Sequence, residues 1–344
     1  MKPLESYRIL MVGQLDYGST SWSRLKALQQ IARQVEALGI MPLLSGLSLW
    51  KRILPHHLYI GENVARVNRE MLEKARGFAP EILWVDKGLH VWPDTLASIR
   101  KEGCGLLIHF TPDNQMVRAN QSQWYLKSIP LYDIHITTKK SNIEWLLGRQ
   151  AKRVKYMGKA FDPDLHRPIT LTEKEAATFG CDIGFVGRWE PSREAILLWL
   201  WRKGYKIKVW GDCWEHARHR KRSLFAQCRH LVGDEYVKAI CGAKINLCLL
   251  SRWFQDKTTA RSIEIPACGR FLLAERNEEH LALFREDTEA EFYDTPEEMI
   301  QKIDYYLRHE SEREAISKAG RARCLAGYSN KTILKDVLGR IVEG

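Results

Sequence analysis

Cys181-Asp182-Ile183-Gly184-Phe185-Val186-Gly187 is a short apolar run that ends at a glycine, and Ser192 to Arg202 follows with helical character. A strand, a glycine turn and a helix in that order form one unit of a parallel α/β sheet. The unit recurs downstream. Tyr205 to Trp210 reads as a strand ending at Gly211, Lys244 to Leu250 as a strand, Thr259 to Ala267 as a helix and Gly269 to Ala274 as a further strand. Upstream, Phe161-Asp162-Pro163-Asp164-Leu165-His166-Arg167-Pro168 breaks the alternation. Two prolines and two aspartates in so short a run make a poor helix or strand, so this reads as an interdomain linker. Before it, strands are expected at Arg8 to Gly13, Ile40 to Leu44, Glu81 to Asp86, Gly105 to Phe110 and Asp133 to Thr138. Helices are expected at about Trp22 to Leu38, where Leu25, Leu28, Ile31, Val35 and Leu38 recur at helical spacing, and at Asn63 to Arg76 and Pro93 to Lys101. Such alternation implies right-handed crossovers and sheets covered on both faces. The expectation is an α/β chain of two Rossmann-like doubly wound domains, 1–165 and 166–330, facing one another across a cleft. Residues 331–344 are expected to form a C-terminal helix that packs back on the first domain.

The 344 residues are 45% hydrophobic and 28% charged, a globular composition. No stretch approaches the roughly 18 uncharged apolar residues of a membrane span. Glu5 and Arg8 interrupt what would be the apolar core of a signal peptide, so a cytoplasmic protein is expected. The eight cysteines form no CxxC pair, and reduced thiols are expected. Cys213, His216, His219, Cys228 and His230 hold potential zinc ligands, but Cys213 and His216 are the one close pair; a solvated basic helix is the preferred reading and no metal is expected. The net charge is +11, of which residues 1–165 carry +8. Segment 202–230 has nine Lys and Arg against two acids, while 275–314 is acidic. Basic surfaces of this kind attract nucleic acid, anionic lipid headgroups or phosphorylated small molecules.

In open parallel sheets, ligands bind beyond the carboxyl ends of the strands. In the loop from Phe185 to Arg193, Gly187 ends a strand, Arg188 and Arg193 flank a helix start at Pro191-Ser192, and Glu190 lies between them. Free N–H groups and two guanidinium groups suit a pyrophosphate. In the loop from Asp256 to Gly269, Asp256 is expected to precede a helix and Glu264 to project within it. Glu264 stands among Ile263, Ile265 and Ala267 and needs a partner, a ribose diol or a neighbouring arginine. Neither GxGxxG nor GxxxxGK[ST] occurs, which disfavours nicotinamide or flavin sites and a P-loop.

Asp256, Thr259, Arg261, Glu264, Ile265, Pro266, Ala267, Cys268 and Gly269, continuing into Arg270-Phe271-Leu272-Leu273-Ala274-Glu275-Arg276, resemble the donor-site signature of GT-B glycosyltransferases. The resemblance is closest to the "glycosyl transferases group 1" branch that includes CgeB-like spore-maturation proteins. Glu279-His280, Leu283-Phe284, the acidic run from Glu289 to Tyr293 and Ala319-Gly320-Arg321 fit the same pattern. Thr111 to Asn114, Tyr132-Asp133 and Leu165 to Pro168 match it less specifically. The resemblance implies a GT-B fold and metal-independent transfer of a sugar from a nucleotide diphosphate, with no cofactor. It implies that Glu264 binds the nucleotide ribose and that Asp256, where the family has a glutamate, contacts the sugar. Arg188 would neutralise the diphosphate leaving group. The acidic-pair motif usually accompanies retention of anomeric configuration. Gly187, Glu190, Arg193, Trp210, Thr259 and Arg261 complete the expected donor set.

The first domain is expected to receive the acceptor, a glycan, lipid-linked glycan, protein or small molecule. Asp113 follows a strand, where a carboxylate can position or deprotonate an acceptor hydroxyl, and Gly13, Asp16 and Asn114 occupy strand-end loops of the same kind. The turn-forming reading of Pro112-Asp113-Asn114 stands beside that one. The excess charge of the first half suits peripheral docking on an anionic membrane face. Two other functions compete: a nucleotide-sugar epimerase of the same fold, and a nucleic-acid binder using segment 202–230. The latter lacks any RRM, KH or helix-turn-helix pattern, so no nucleic acid is expected as partner.

Overall fold

The computed structural model describes residues 3–44, 59–217, 226–227 (backbone) and 229–343. The chain forms two compact units, Met1–Gly158 with Asn330–Gly344, and Lys159–Ser329. The division falls ahead of the 165/166 boundary because the expected linker belongs to unit 2. Phe161 and Leu165 enter the unit 2 core, and Phe161 bridges to Ser329.

Unit 1 holds strands β1 (Arg8–Gly13), β2 (Gln34–Gly39), β3 (Ile82–Asp86), β4 (Leu106–Thr111), β5 (Ile134–Thr137) and β6 (Val154–Tyr156). They form one parallel sheet in the order β2-β1-β3-β4-β5-β6. The helices are α1 (Thr20–Ile31), α2 (Met41–Leu44), α3 (Glu62–Phe78), α4 (Pro93–Lys101), α5 (Gln123–Ser128) and α6 (Asn142–Leu147). Ile9 and Met11 on β1 pack with Leu25 and Leu28 of α1. The C-terminal helix, Asn330–Glu343, inserts Leu334, Leu338 and Ile341 into that cluster.

The first helix ends earlier than its periodicity suggests. Ala32 is extended, and Val35 to Leu38 pair with Ile9 to Val12 as an edge strand instead of a fourth helical turn. Pairing satisfies the open edge of β1, and tertiary context of this kind outweighs helix propensity. The strand expected at Ile40 to Leu44 is therefore displaced, and Met41–Leu44 makes a helical turn.

Unit 2 holds β7 (Cys181–Val186), β8 (Ile207–Trp210), β9 (Ala226–Gln227), β10 (Ala243–Cys248), β11 (Leu272–Glu275) and β12 (Glu291–Tyr293). Their order is β12-β11-β10-β7-β8-β9, all parallel. The sheet reverses direction of build between β7 and β10, as it does between β1 and β3 in unit 1. Such switch points open a crevice at the carboxyl ends of the strands. The helices are α7 (Glu173–Phe179), α8 (Pro191–Arg202), α9 (Gly233–Gly242), α10 (Arg261–Ala267), α11 (Glu278–Leu283), α12 (Pro296–Arg308) and α13 (Glu310–Gly327); the C-terminal helix of unit 1 is α14. No described helix is long and apolar enough to cross a membrane.

Candidate functional site

The switch point of unit 2 lies where the loops after β7 and β10 leave the sheet. Gly187 is required there by crowding: a Cβ would fall 2.7 Å from the Phe185 ring. The β8 end is closer still. Gly211, at φ +140°, lies against Gly187, whose oxygen would stand 2.1 Å from a Cβ. After Gly187, Arg188 is exposed and its guanidinium has no partner among the described residues. Pro191 opens α8 and no side chain caps the helix, so the N–H groups that follow the proline are open to an anion.

Arg193 and Glu190 fasten the two loops together. The Arg193 guanidinium donates to the carbonyls of Arg188 (2.9 Å) and Leu249 (3.0 Å) and pairs with Glu190 at 3.2 Å. Glu190 in turn accepts from the Arg252 backbone N–H at 3.0 Å. Both side chains are buried, so neither reaches outward as the sequence suggested; they position the loops. Trp210 is likewise buried, tilted on Phe179 with ring centroids 5.9 Å apart. Its ring packs the sheet.

The second loop supplies further charged groups. Asp256 precedes α10, half-buried, and Arg261 begins the helix. Arg261 forms no hydrogen bond or ion pair among the described residues. Burial works against its charge, but the acidic groups around it, Glu264 and Asp256 among them, outweigh that and raise its pKa. Glu264 is buried on the same helix. One of its oxygens accepts from the Tyr236 hydroxyl at 2.5 Å, and the other lies 3.6 Å from His166 Nε2. The Asp162 N–H donates to His166 Nδ1 at 3.1 Å, so the ring proton of His166 sits on Nε2, facing Glu264. Burial, with Glu264 adding to it, holds the Tyr236 phenol well above its ordinary pKa, so it stays a donor. Each carboxylate oxygen still has a lone pair for a further donor.

Beneath this surface Thr259 turns its hydroxyl inward to Cys248 (3.4 Å), and Ser262 bridges Cys248 (3.5 Å) and His280 (2.8 Å). Burial opposes charge on both Cys248 and His280. Each nevertheless favours the charged form of the other, which holds the thiol low and the imidazole high. Thr259 thus supports the loop from below. Glu275, at the end of β11, accepts from the Leu250 N–H (3.0 Å) and from Arg252 (2.6 Å).

The switch point of unit 1 is closed by a different device. Asp86, at the end of β3, is buried and takes Arg24 (2.6 Å) and the Trp84 indole N–H (2.7 Å). Gly13 is the residue that lets β1 approach it, since a Cβ there would meet Asp86 Cβ at 2.8 Å. Lys87 and Gly88 both have φ +63°, a conformation costly for lysine. That turn aims Lys87 Nζ at Asp113, 2.8 Å away. Asp113 is therefore ion-paired, while Asn114 is a buried turn residue whose Oδ1 accepts from the Met116 N–H at 3.0 Å. Asp16 is exposed, with its carbonyl accepting from the Ser19 N–H. A cavity of about 260 Å³ opens beside this point, lined by Gln14, Ser21, Met41, Tyr59, Asp86 and Lys87 among others.

Sequence reading missed Tyr236, His166, Lys87, Asp86 and Arg24 as site-shaping residues. His166 lay within a matched motif; the others carried no local signal. Of the weighed zinc ligands, Cys213 and His216 come together with Glu215, all three offering ligand atoms within 4.8 Å of one another. His230 faces Asp212 at 3.1 Å. His219, Cys228 and the 218–228 part of the basic segment lie outside the described side chains.

Residues 193–339 match the family model described as "Glycosyl transferase-like". No curated protein sequence gives a match. Among solved structures, Anabaena HepE in complex with UDP and glucose is similar at a TM-score of 0.61 and 11% identity, covering 98% of this chain and all of that one. Sucrose-phosphate synthase from Thermosynechococcus elongatus gives a TM-score of 0.65 at 12% identity over 98% of each chain. The E. coli trehalose-6-phosphate protein bound with UDP-2-fluoro glucose gives 0.61 at 14%, over 96% of this chain and 98% of that one. The chain has the GT-B fold, and the part of it that matches a family model, residues 193–339, is similar to glycosyl transferases.

Proposed function

We propose that this protein is a metal-independent glycosyltransferase that takes a sugar from a uridine-diphosphate donor and places it on a hydroxyl acceptor. The carrying observation is Arg261, a half-buried guanidinium without a partner among the described residues, beside Asp256 and Glu264 at the switch point of unit 2. A guanidinium whose donors are unspent suits a diphosphate, and the acidic groups around it keep it charged. The similar structures that hold UDP or a UDP sugar point to the base. Within this reading the acceptor oxygen attacks the anomeric carbon and the bond to the β-phosphate oxygen breaks. Arg261 and the exposed Arg188 carry the charge that develops on the departing diphosphate. Glu264, held in place by Tyr236 and His166, accepts from the ribose hydroxyls, and Asp256 accepts from the sugar.

Asp113 is the acceptor-side carboxylate in this scheme and must leave Lys87 to take a proton. The motif's likeness to the CgeB-like branch supports a place within it, and the acidic pair supports retention of configuration, for which the acceptor oxygen attacks from the face that the diphosphate leaves. The basic surplus of residues 1–165 suits reversible docking on an anionic bilayer, which flotation with anionic and neutral vesicles at low salt tests. For the activity itself, UDP sugars are incubated with and without hydroxyl acceptors. Product that requires an acceptor, with a raised donor KM in Glu264→Gln, supports the assignment. Epimer formed without acceptor transfers it to the epimerase reading, and Glu264→Gln with unchanged donor KM removes the ribose role.

A further inference from the structure

Unit 2 has a second cavity, of about 430 Å³, at the other end of its sheet. It is bordered by Ala243, the first residue of β10, by Phe271 just before β11, and by the face of α13 that carries Arg313, Ser317 and Arg321. The switch point described above lies at the carboxyl ends of these strands, so this cavity belongs to the opposite edge.

Its walls are cationic. Lys244, Arg270, Arg313, Lys318 and Arg321 line it, against the carboxylates of Glu310 and Glu314. Two of the cations are committed: Arg313 pairs with Glu310 at 2.9 Å and Lys244 with Asp182 at 2.8 Å. Arg270, Lys318 and Arg321 have no carboxylate partner among the described residues; Arg321 donates from one Nη to the Ala267 carbonyl, which leaves its other nitrogens for a ligand. The Nε of Arg270 is buried with no hydrogen-bond partner among those residues, so this donor is unspent at the wall of the cavity. Gly269, at φ +68°, keeps the floor open; a Cβ there would lie 3.3 Å from Pro168 and 3.4 Å from Arg321.

We propose that this cavity is a second anion site, in which Arg270, Arg321 and Lys318 bind a phosphate monoester. The volume exceeds what a bare phosphate ion fills and falls within the size range of small-molecule pockets, so the ester carries a body of a few carbons. Two guanidinium groups supply the planar forks that phosphate oxygens accept from. The Cys241 thiol, which borders the same space, is held below the ordinary thiol range by its hydrogen bond with Cys268, then by the Ile169 backbone and by Arg270.

The test is a calorimetric titration of the full chain with inorganic phosphate and with glycerol 3-phosphate, at constant ionic strength against chloride. Saturable binding of glycerol 3-phosphate is expected, weakened by about 10-fold or more in Arg270→Gln and in Lys318→Glu, an exposed position that leaves folding intact. Arg261→Gln, at the other edge, should bind it as wild type does. Saturation by inorganic phosphate but not by the ester would overturn the monoester assignment. So would undiminished binding in Lys318→Glu and Arg270→Gln, or loss in Arg261→Gln alone, which would move the ion to the first site.

Discussion

The two switch points of this chain arise from the same topology and carry opposite electrostatics. In unit 1 the crevice between β1 and β3 is closed by a matched pair: Arg24 and Asp86 are both buried, 2.6 Å apart, with Trp84 completing the carboxylate. In unit 2 the crevice between β7 and β10 is held by one matched pair, Glu190 and Arg193, and then adds Arg261 and Arg188 without partners among the described residues. A charge that is already neutralised builds structure, whereas a charge left over recruits a ligand. Unit 1 thus has a cavity bordered by charges already paired, and unit 2 a surface with guanidinium donors to spare.

The largest effect is expected from breaking the closed pair. Asp86→Ala strands Arg24 in the interior and should cost about 3–5 kcal/mol, read as a fall in the denaturant midpoint of unit 1. Replacement of both residues by apolar ones of similar volume should recover most of it. If Asp86→Ala proves neutral, the closed description of unit 1 is wrong. Gly13→Ala presses a methyl on the same aspartate, 2.8 Å away, and should cost roughly 1–3 kcal/mol by the same measurement.

In unit 2 the matched and unmatched arginines should separate. Arg261→Gln is expected to lower UDP affinity by about 10- to 100-fold, in line with a lost charge-assisted hydrogen bond, with little change in melting temperature. Arg193→Gln should instead destabilise the unit, because Glu190 and two carbonyls lose their donor. Equal effects on binding and melting in both variants would erase the distinction. Arg188→Ala, at an exposed position, should weaken UDP by about 10-fold or less and leave uridine unaffected.

The smallest effect concerns an ion cluster near the surface. Arg276 gathers Glu286, Asp294 and Glu298, and its hydrogen bond draws Glu298 down to about 2. A carboxylate depressed in the folded state stabilises above its ordinary value of 4.5, and that contribution disappears as pH falls toward 2. Because the pair is partly solvated, it should amount to about 1 kcal/mol or less. Glu298→Gln should therefore differ from wild type in urea midpoint at pH 6 and converge with it near pH 2.

What was legible in the sequence was what is local in the chain. Asp256, Arg261 and Glu264 lie within one loop and helix, so their spacing could be read directly. The strand–glycine–helix units were equally readable, and they carried the fold. Residues that meet only in three dimensions were not. Tyr236 reaches Glu264 from α9, and Arg24 reaches Asp86 from α1, with nothing in either neighbourhood to announce it. Glu190, Arg193 and Trp210 show the converse failure: the right residue types at a strand end, turned inward by partners that spacing does not reveal. The break between α1 and β2 was hidden because Val35 and Leu38 satisfy the helical period and the edge of a sheet alike.

The most direct test of the account is hydrogen–deuterium exchange of the full chain with and without UDP. Binding at the cationic switch point should slow exchange in peptides spanning 186–194 and 249–264, with little change in those covering 11–16 and 84–91. Protection confined to the latter peptides, or absent from both, would contradict the assignment of unit 2 as the nucleotide-diphosphate site.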